Sequence, residues 1–204
     1  MAHAPSPITP RKTPRQARAV ATRAALLEAA ARILEAEGAK LLTTNRIAER
    51  AGVSIGTLYQ YFPGKQAILA ALIRQMRREL EADLATATAA AGARDLAAAV
   101  AALCRAVVQH HIRRPGLAEA LEALEPTLPP DPEALAIKTR IRDGIAGLLK
   151  RHAIAEPERA AFDLSAMGRG LVGASAAAGR RDFEALAARF SQAALGYLRG
   201  PRDA

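Results

Sequence analysis

The sequence predicts an all-α fold, and three observations carry that reading. Half of the 204 residues are hydrophobic, with Ala and Leu dominant. Runs of Val, Ile, Thr and Tyr that would favour strands are nearly absent. Apolar residues recur at helical spacing between segments bounded by capping residues, Pro and Gly. The length suits one compact domain or two small ones, with enough chain to bury a core.

The elements follow in order. Residues 1–12 are rich in Pro, Ser and Ala and carry Arg11 and Lys12, so they read as a disordered basic arm. Thr13-Pro14-Arg15-Gln16 reads as a helix start: Thr13 caps, Pro14 suits the first helical position and Gln16 completes a capping box. Ala19, Leu26, Ala30, Ile33 and Leu34 form the inner stripe of this first helix, and Gly38 is expected to end it in the left-handed conformation. Thr43 or Thr44 opens a short helix over "NRIAERAG", which stops at Gly52. Ser54 caps another short helix, "IGTLYQYF", broken by Pro63-Gly64.

A long helix is expected from Lys65 to about Ala91, then one over 94–114, a shorter one over 116–124 and a proline-rich loop, "PTLPPDP". Asp131-Pro132 starts a helix to about Arg151, Glu156-Pro157 another to about Ala178, and Asp182 a last one to about residue 198. That makes nine helices and no fixed-period repeat. The expected division is the arm at 1–12, a helix-turn-helix domain at 13–64 and a helical domain at 65–204.

Charge and composition narrow the function. The net charge is +9, and residues 1–65 carry ten Lys/Arg against four Glu, so +6 of it lies in the first third. A basic N-terminal third suits a polyanion-binding module. The one cysteine, Cys104, excludes an intrachain disulfide, and no Cys/His spacing matches a zinc site. The opening residues lack the apolar core of a signal peptide, and no apolar stretch is long enough to span a bilayer. A soluble cytoplasmic protein is expected. No nucleophile–base pair or metal set at recognisable spacing suggests an enzyme, and no cofactor is expected.

Residues 43–62 place two short helices around "GVS", the tight glycine-containing turn of a helix-turn-helix. Ala48 is small where the helices cross, Gly52 supplies a positive φ, Val53 and Leu58 fill the wedge, and Ile47 faces the first helix. In such a motif the second helix enters the major groove of DNA. Three of the seven Phe and Tyr residues of the chain fall in "GTLYQYFPGK".

From Ala25 to Leu69 the sequence "ALLEAAARILEAEGAKLLTTNRIAERAGVSIGTLYQYFPGKQAIL" resembles the TetR/AcrR family of bacterial transcriptional regulators. The threonine start, "IAERAGVS", "GTLY", the "YF" pair and the Lys after the break stand in family order. The resemblance implies a DNA-binding regulator in which Thr44 touches phosphate at the start of helix 2. It makes Ser54, Ile55, Gly56 and Thr57 the start of the recognition helix, with the last three reading base edges. Tyr59, Gln60 and Tyr61 follow on that helix, the two tyrosines on the backbone, and Lys65 meets a phosphate from helix 4. Arg46 adds a guanine contact from helix 2. Gly56 is unfavourable in a helix by about 1 kcal/mol relative to Ala, which close approach to DNA would offset. Tyr59 also has a core reading, with an internally satisfied hydroxyl; Phe62 is placed in the core. Phosphate contacts fix register without reading sequence, and short uncharged Ile55, Gly56 and Thr57 imply that indirect readout contributes. Gly64 departs from the Ser, Asn or Asp frequent at that cap.

The resemblance also implies dimerisation through helices 8 and 9. Phe162, Gly170, Gly173 and Ala177 on helix 8, with Phe183, Leu186, Phe190 and Tyr197 on helix 9, are the expected interface. "GRGLVG" (Gly168 to Gly173) has the form of a dinucleotide motif but stands inside a helix, so the small residues read as packing sites. His110 and His111 are adjacent, hence about 100° apart on a helix, and with His152 and Cys104 do not form a metal site. A small effector among helices 4 to 8 is implied, lined by Met76, Leu80, Cys104, Val107, His111, Leu121 and Ile141; His111 reads either as one polar group in an apolar cavity or as a solvent-facing or core histidine. No Phe, Tyr or Trp lies between Pro63 and Ala161, so the effector is expected to be aliphatic or compact and apolar. The expected function is thus a ligand-responsive repressor binding a palindromic operator in double-stranded DNA as a homodimer, with no membrane partner. The alternative is an all-helical small-molecule-binding protein without DNA-binding activity.

Overall fold

The structure, a computed structural model, describes residues 14–91 and 95–200. The expected arm and the Thr13 cap lie outside the described residues. Among these there are nine α-helices and no strand: α1 Pro14–Glu37, α2 Thr44–Arg50, α3 Ile55–Tyr61, α4 Lys65–Ala91, α5 Leu96–Arg113, α6 Pro115–Leu124, α7 Pro132–Arg151, α8 Pro157–Ala177 and α9 Phe183–Arg199. Two 3-10 turns, Ala39–Leu41 and Glu125–Thr127, follow α1 and α6. None of the described helices is long and apolar enough to cross a membrane.

The helix ends follow local chemistry. Thr43 is the cap of α2, its side chain accepting from the Arg46 N–H at 3.3 Å, and Ser54 caps α3 by accepting from the Thr57 N–H at 3.1 Å. Asp95 and Asp182 cap α5 and α9 in the same way, at 2.7 and 3.0 Å. Gly38 has the expected positive φ, 77°, but ψ is 175°. The backbone therefore leaves α1 through the extended, essentially glycine-only region rather than the left-handed helical well. Gly52, at φ 69°, supplies the reversal between α2 and α3.

The chain divides into two compact units at Leu69/Ala70, within α4. In the first, α1 packs on α2 and α2 on α3. Its core includes the fully buried side chains Leu26, Ile33, Leu42, Ile47, Leu58 and Ile68. Ala48 and Phe62 are buried with them, at 3% and 4% exposure, whereas Val53 is only half-buried, so Leu58 fills the wedge between the short helices largely alone.

In the second unit α5 is the central helix, packed on α8 and α9, with α7 against α8. Its main core gathers Leu84, Val100, Leu103, Cys104, Leu148, Leu149, Leu164 and Phe190. Polar ties join α4 to α7: Arg140 holds Glu81 with two bonds, at 2.7 and 3.0 Å, and Arg78 binds Glu133. Asp131 caps α7 through one oxygen and takes Arg74 on the other, at 3.1 Å.

Candidate nucleic-acid interface

The reading head is built by the two caps. Thr43 and Ser54 each satisfy a free backbone N–H at the start of a seven-residue helix, too short to be stable by itself. Burial of Ile47 and Leu58 then fixes which faces turn outward. On α3 the outward side chains are Ile55 (38% exposed), Tyr59 (53% exposed) and Gln60, while Gly56 is exposed and Thr57 and Tyr61 are half-buried. A Cβ on Gly56 would touch only Ser54 Oγ, at 3.8 Å, so no intramolecular contact demands glycine there.

Tyr59 is not a core tyrosine. Its ring stands in solvent, and its hydroxyl lies 3.3 Å from that of Thr44, joining α3 to the first residue of α2. Two residues expected to meet the backbone are therefore adjacent in space. Ser54 Oγ and Thr57 Oγ1 are 2.9 Å apart, so each hydroxyl is already engaged. Lys65 is exposed at the start of α4. Phe62 is buried and carries the Arg23 guanidinium 5.5 Å above its ring.

Arg46 departs from expectation. Its guanidinium binds Glu37 at the end of α1, and Arg50 binds the other oxygen of the same carboxylate at 2.9 Å. The two basic groups of α2 are thus drawn towards α1 by one acid, and a guanine contact from Arg46 would require breaking that pair. Sequence spacing gave no sign of this, because Glu37 stands across a turn from both.

The residues expected at an effector site fall in the second unit. Cys104 and Leu121 are fully buried, and Leu80, Val107 and Ile141 pack, half-buried, against the main core; Met76 is half-buried. Burial pushes the Cys104 thiol up to about 12. His111 does not present a free polar group: Nδ1 lies 2.9 Å from the Val107 carbonyl and Nε2 3.2 Å from Glu122. Burial disfavours its charge, but the Glu122 carboxylate and that carbonyl outweigh it, and its pKa is raised. His110 is buried with Nδ1 3.0 Å from Asp83, which also takes Arg113; here burial prevails and the pKa is lowered. Among the described residues no three His, Cys, Asp or Glu side chains are grouped to hold a metal.

The expected dimer residues separate into two sets. Phe162 (56% exposed), Gly170, Ala177 and Tyr197 (39% exposed) face outward, and Gly173 is half-buried with open space where a Cβ would stand. Leu186 and Phe190 do not belong with them. They are 3% and 1% exposed, buried inside the protomer, with Phe183 half-buried beside Leu186. The strongest apolar stripe of α9 covers the protomer's own core, and the exposed side of the helix holds Ala185, Ala188, Arg189, Gln192, Ala193 and Gly196 instead. Gly168 of the false dinucleotide motif has a packing role: a Cβ there would lie 3.0 Å from Phe190 Cζ.

A helix-turn-helix head on a separate, all-helical unit defines a bacterial DNA-binding regulator by class. The model described as "Bacterial regulatory proteins, tetR family" matches residues 26–72, and the one described as "Tetracyclin repressor-like, C-terminal domain" matches residues 95–198. The chain belongs to the TetR family. Comparison with functionally curated proteins gave no match. Among solved structures it is similar to SCO4454, a TetR-family transcriptional regulator from Streptomyces coelicolor (28% identity, 88% of this chain and 95% of that one, TM-score 0.68). The same fold occurs in the fatty acid degradation regulator FadR from Bacillus halodurans (19%, 88% and 99%, TM-score 0.69). It occurs also in the TetR-family regulator PfmR from Thermus thermophilus (18%, 87% and 98%, TM-score 0.70).

Proposed function

We propose that this regulator is a ligand-responsive repressor that binds a palindromic operator as a homodimer in the cytoplasm. The observation that carries the DNA part is the outward face of α3, where Ile55 and Tyr59 are exposed and the Tyr59 hydroxyl meets Thr44 at 3.3 Å. Thr44, Tyr59, Tyr61 and Lys65 hold phosphate, fixing register without reading sequence. Ile55 supplies apolar contact to a thymine methyl, and Thr57 meets a base edge once its bond to Ser54 is exchanged.

Dimerisation uses the outward face of α8 with the small-residue side of α9: Phe162, Gly170, Gly173, Ala177 and Tyr197, without Leu186 and Phe190. Small residues let a partner helix approach closely, and Phe162 supplies the apolar anchor. The effector is aliphatic or compact, because the core of the second unit is lined by Leu, Val, Ile, Ala and Cys. It acts by favouring the state in which the two heads are spaced wrongly for adjacent major grooves.

Selection of bound fragments from genomic DNA, followed by footprinting, tests this reading. The expected result is a palindrome with half-sites spaced by whole helical turns, occupied by two chains. Binding to a single unrepeated half-site by one chain would remove the dimer model, and recovery of no sequence preference would remove the operator.

A further inference from the structure

The first unit contains a groove of about 670 Å³ whose α3 wall is made of expected DNA contacts and whose α1 wall is not. Its walls are the N-terminal half of α1, the α2–α3 turn and one side of α3. The polar side chains lining it are Arg18, Thr22, Ser54, Thr57, Gln60 and Tyr61. Small-molecule sites of this size are lined mainly by apolar and aromatic groups. This one has a cation and a row of hydroxyl and amide groups, beside the face that meets DNA.

The hydrogen bonds sort the lining. Thr22 donates to the Arg18 carbonyl at 2.9 Å, and Ser54 and Thr57 are bonded to each other, so these three are walls. The Arg18 guanidinium, the Gln60 amide and the Tyr61 hydroxyl remain as donors. Arg18 is exposed and has no acidic partner among the described residues, unlike Arg46 and Arg50, which share Glu37. Arg18 is thus an uncompensated charge on α1 beside α3, whereas the two arginines of α2 are paired with Glu37.

We propose that this groove seats one sugar–phosphate strand of the duplex, with Arg18 as its clamp and Gln60 and Tyr61 as neutral donors on the opposite wall. The inference rests on the DNA-binding reading and adds a contact that the motif does not contain. A phosphate bridging the two walls would tie α1 to α3, so the recognition helix is held against the groove of DNA by the strand itself. The chemistry is charge-assisted hydrogen bonding to phosphate oxygens, which is sequence-independent.

The test uses the full chain and the duplex recovered by genomic selection. Affinities of the wild type, Arg18→Ala and Arg32→Ala are measured from low to moderate salt, on the selected duplex and on a scrambled one. Arg32 lies on the same helix but is paired with Glu28 at 2.8 Å, so it controls for loss of bulk charge. Arg18→Ala is expected to lose about tenfold or more on both duplexes alike. It should lower the salt slope by about one per half-site. Arg32→Ala should stay within about twofold of wild type. Neutral methylphosphonate linkages, introduced one at a time, should reveal one position per half-site whose replacement weakens the wild type clearly more than it weakens Arg18→Ala. Equal losses in the two variants, full affinity in Arg18→Ala, or additive losses at every linkage would overturn the proposal. In each of those cases a wild type that still binds its duplex leaves the DNA reading intact. A wild type that binds no duplex overturns both.

Discussion

The Tyr59 hydroxyl is 3.3 Å from that of Thr44 and carried on a ring that is 53% exposed, a poor arrangement for stability and a good one for holding phosphate. Replacing Tyr59 with Phe should weaken operator binding by about 0.5–1.5 kcal/mol per half-site while leaving thermal stability almost unchanged. Equal affinity in a binding titration would remove the hydroxyl from the interface. The two histidines on α5 make a second residue-scale prediction. His110 has a lowered pKa, so its contribution to stability is present above the unfolded value of 6.5 and lost as pH falls through the folded one. His111 has a raised pKa, so its contribution is present below 6.5 and lost as pH rises through the folded value. The two oppose each other. His111→Gln should therefore lose more stability than wild type between about pH 7.5 and 5.5 in denaturant titrations. Parallel curves would contradict that assignment. Cys104, its thiol raised to about 12, should resist thiol reagents until the protein is unfolded.

At the scale of elements, the helices that the sequence announces through caps are the ones found. Thr43, Ser54, Asp131 and Asp182 each accept a backbone N–H at the start of a helix, and each is a residue type that signals its position without tertiary context; Asp95 caps α5 in the same way, a start the sequence reading does not name. What sequence does not show is which of two neighbours an apolar stripe faces. Phe183, Leu186, Phe190 and Tyr197 share one side of α9 by spacing, and spacing cannot say that the first three meet the protomer's core while Tyr197, near the end of the helix, stays exposed. Phe190, lying over Gly168, gives the answer. Arg46 and Arg18 make the same point for charge: pairing with Glu37 withdraws one from the reading head, while no acid among the described residues pairs with the other. Gly168→Ala adds a methyl 3.0 Å from Phe190 and should destabilise the fold by about 1–3 kcal/mol, less up to about 1 kcal/mol of regained helix propensity. Gly144→Ala, on the exposed side of α7, meets open space and should be neutral or slightly stabilising in the same melts. If both variants melt alike, the packing account of the motif is wrong.

On the proposed function, two surfaces divide the work: a polar, cationic face on the first unit, and a face of small residues with one exposed phenylalanine on the second. Phe162→Glu with Gly173→Leu should weaken self-association by about 2 kcal/mol or more, seen as a shift to monomer in sedimentation, with the helical content kept. A dimer of unchanged strength would move the interface elsewhere. The claim on which everything else depends is that the first unit binds DNA through phosphate contacts. It is tested most directly by measuring the affinity of the intact protein for its selected operator as salt is raised. With on the order of 6–10 phosphates neutralised by a dimer, affinity should fall about 10³- to 10⁵-fold between about 50 and 200 mM salt. An affinity that hardly changes over that range would contradict it, and would favour a helical small-molecule-binding protein that does not act on DNA.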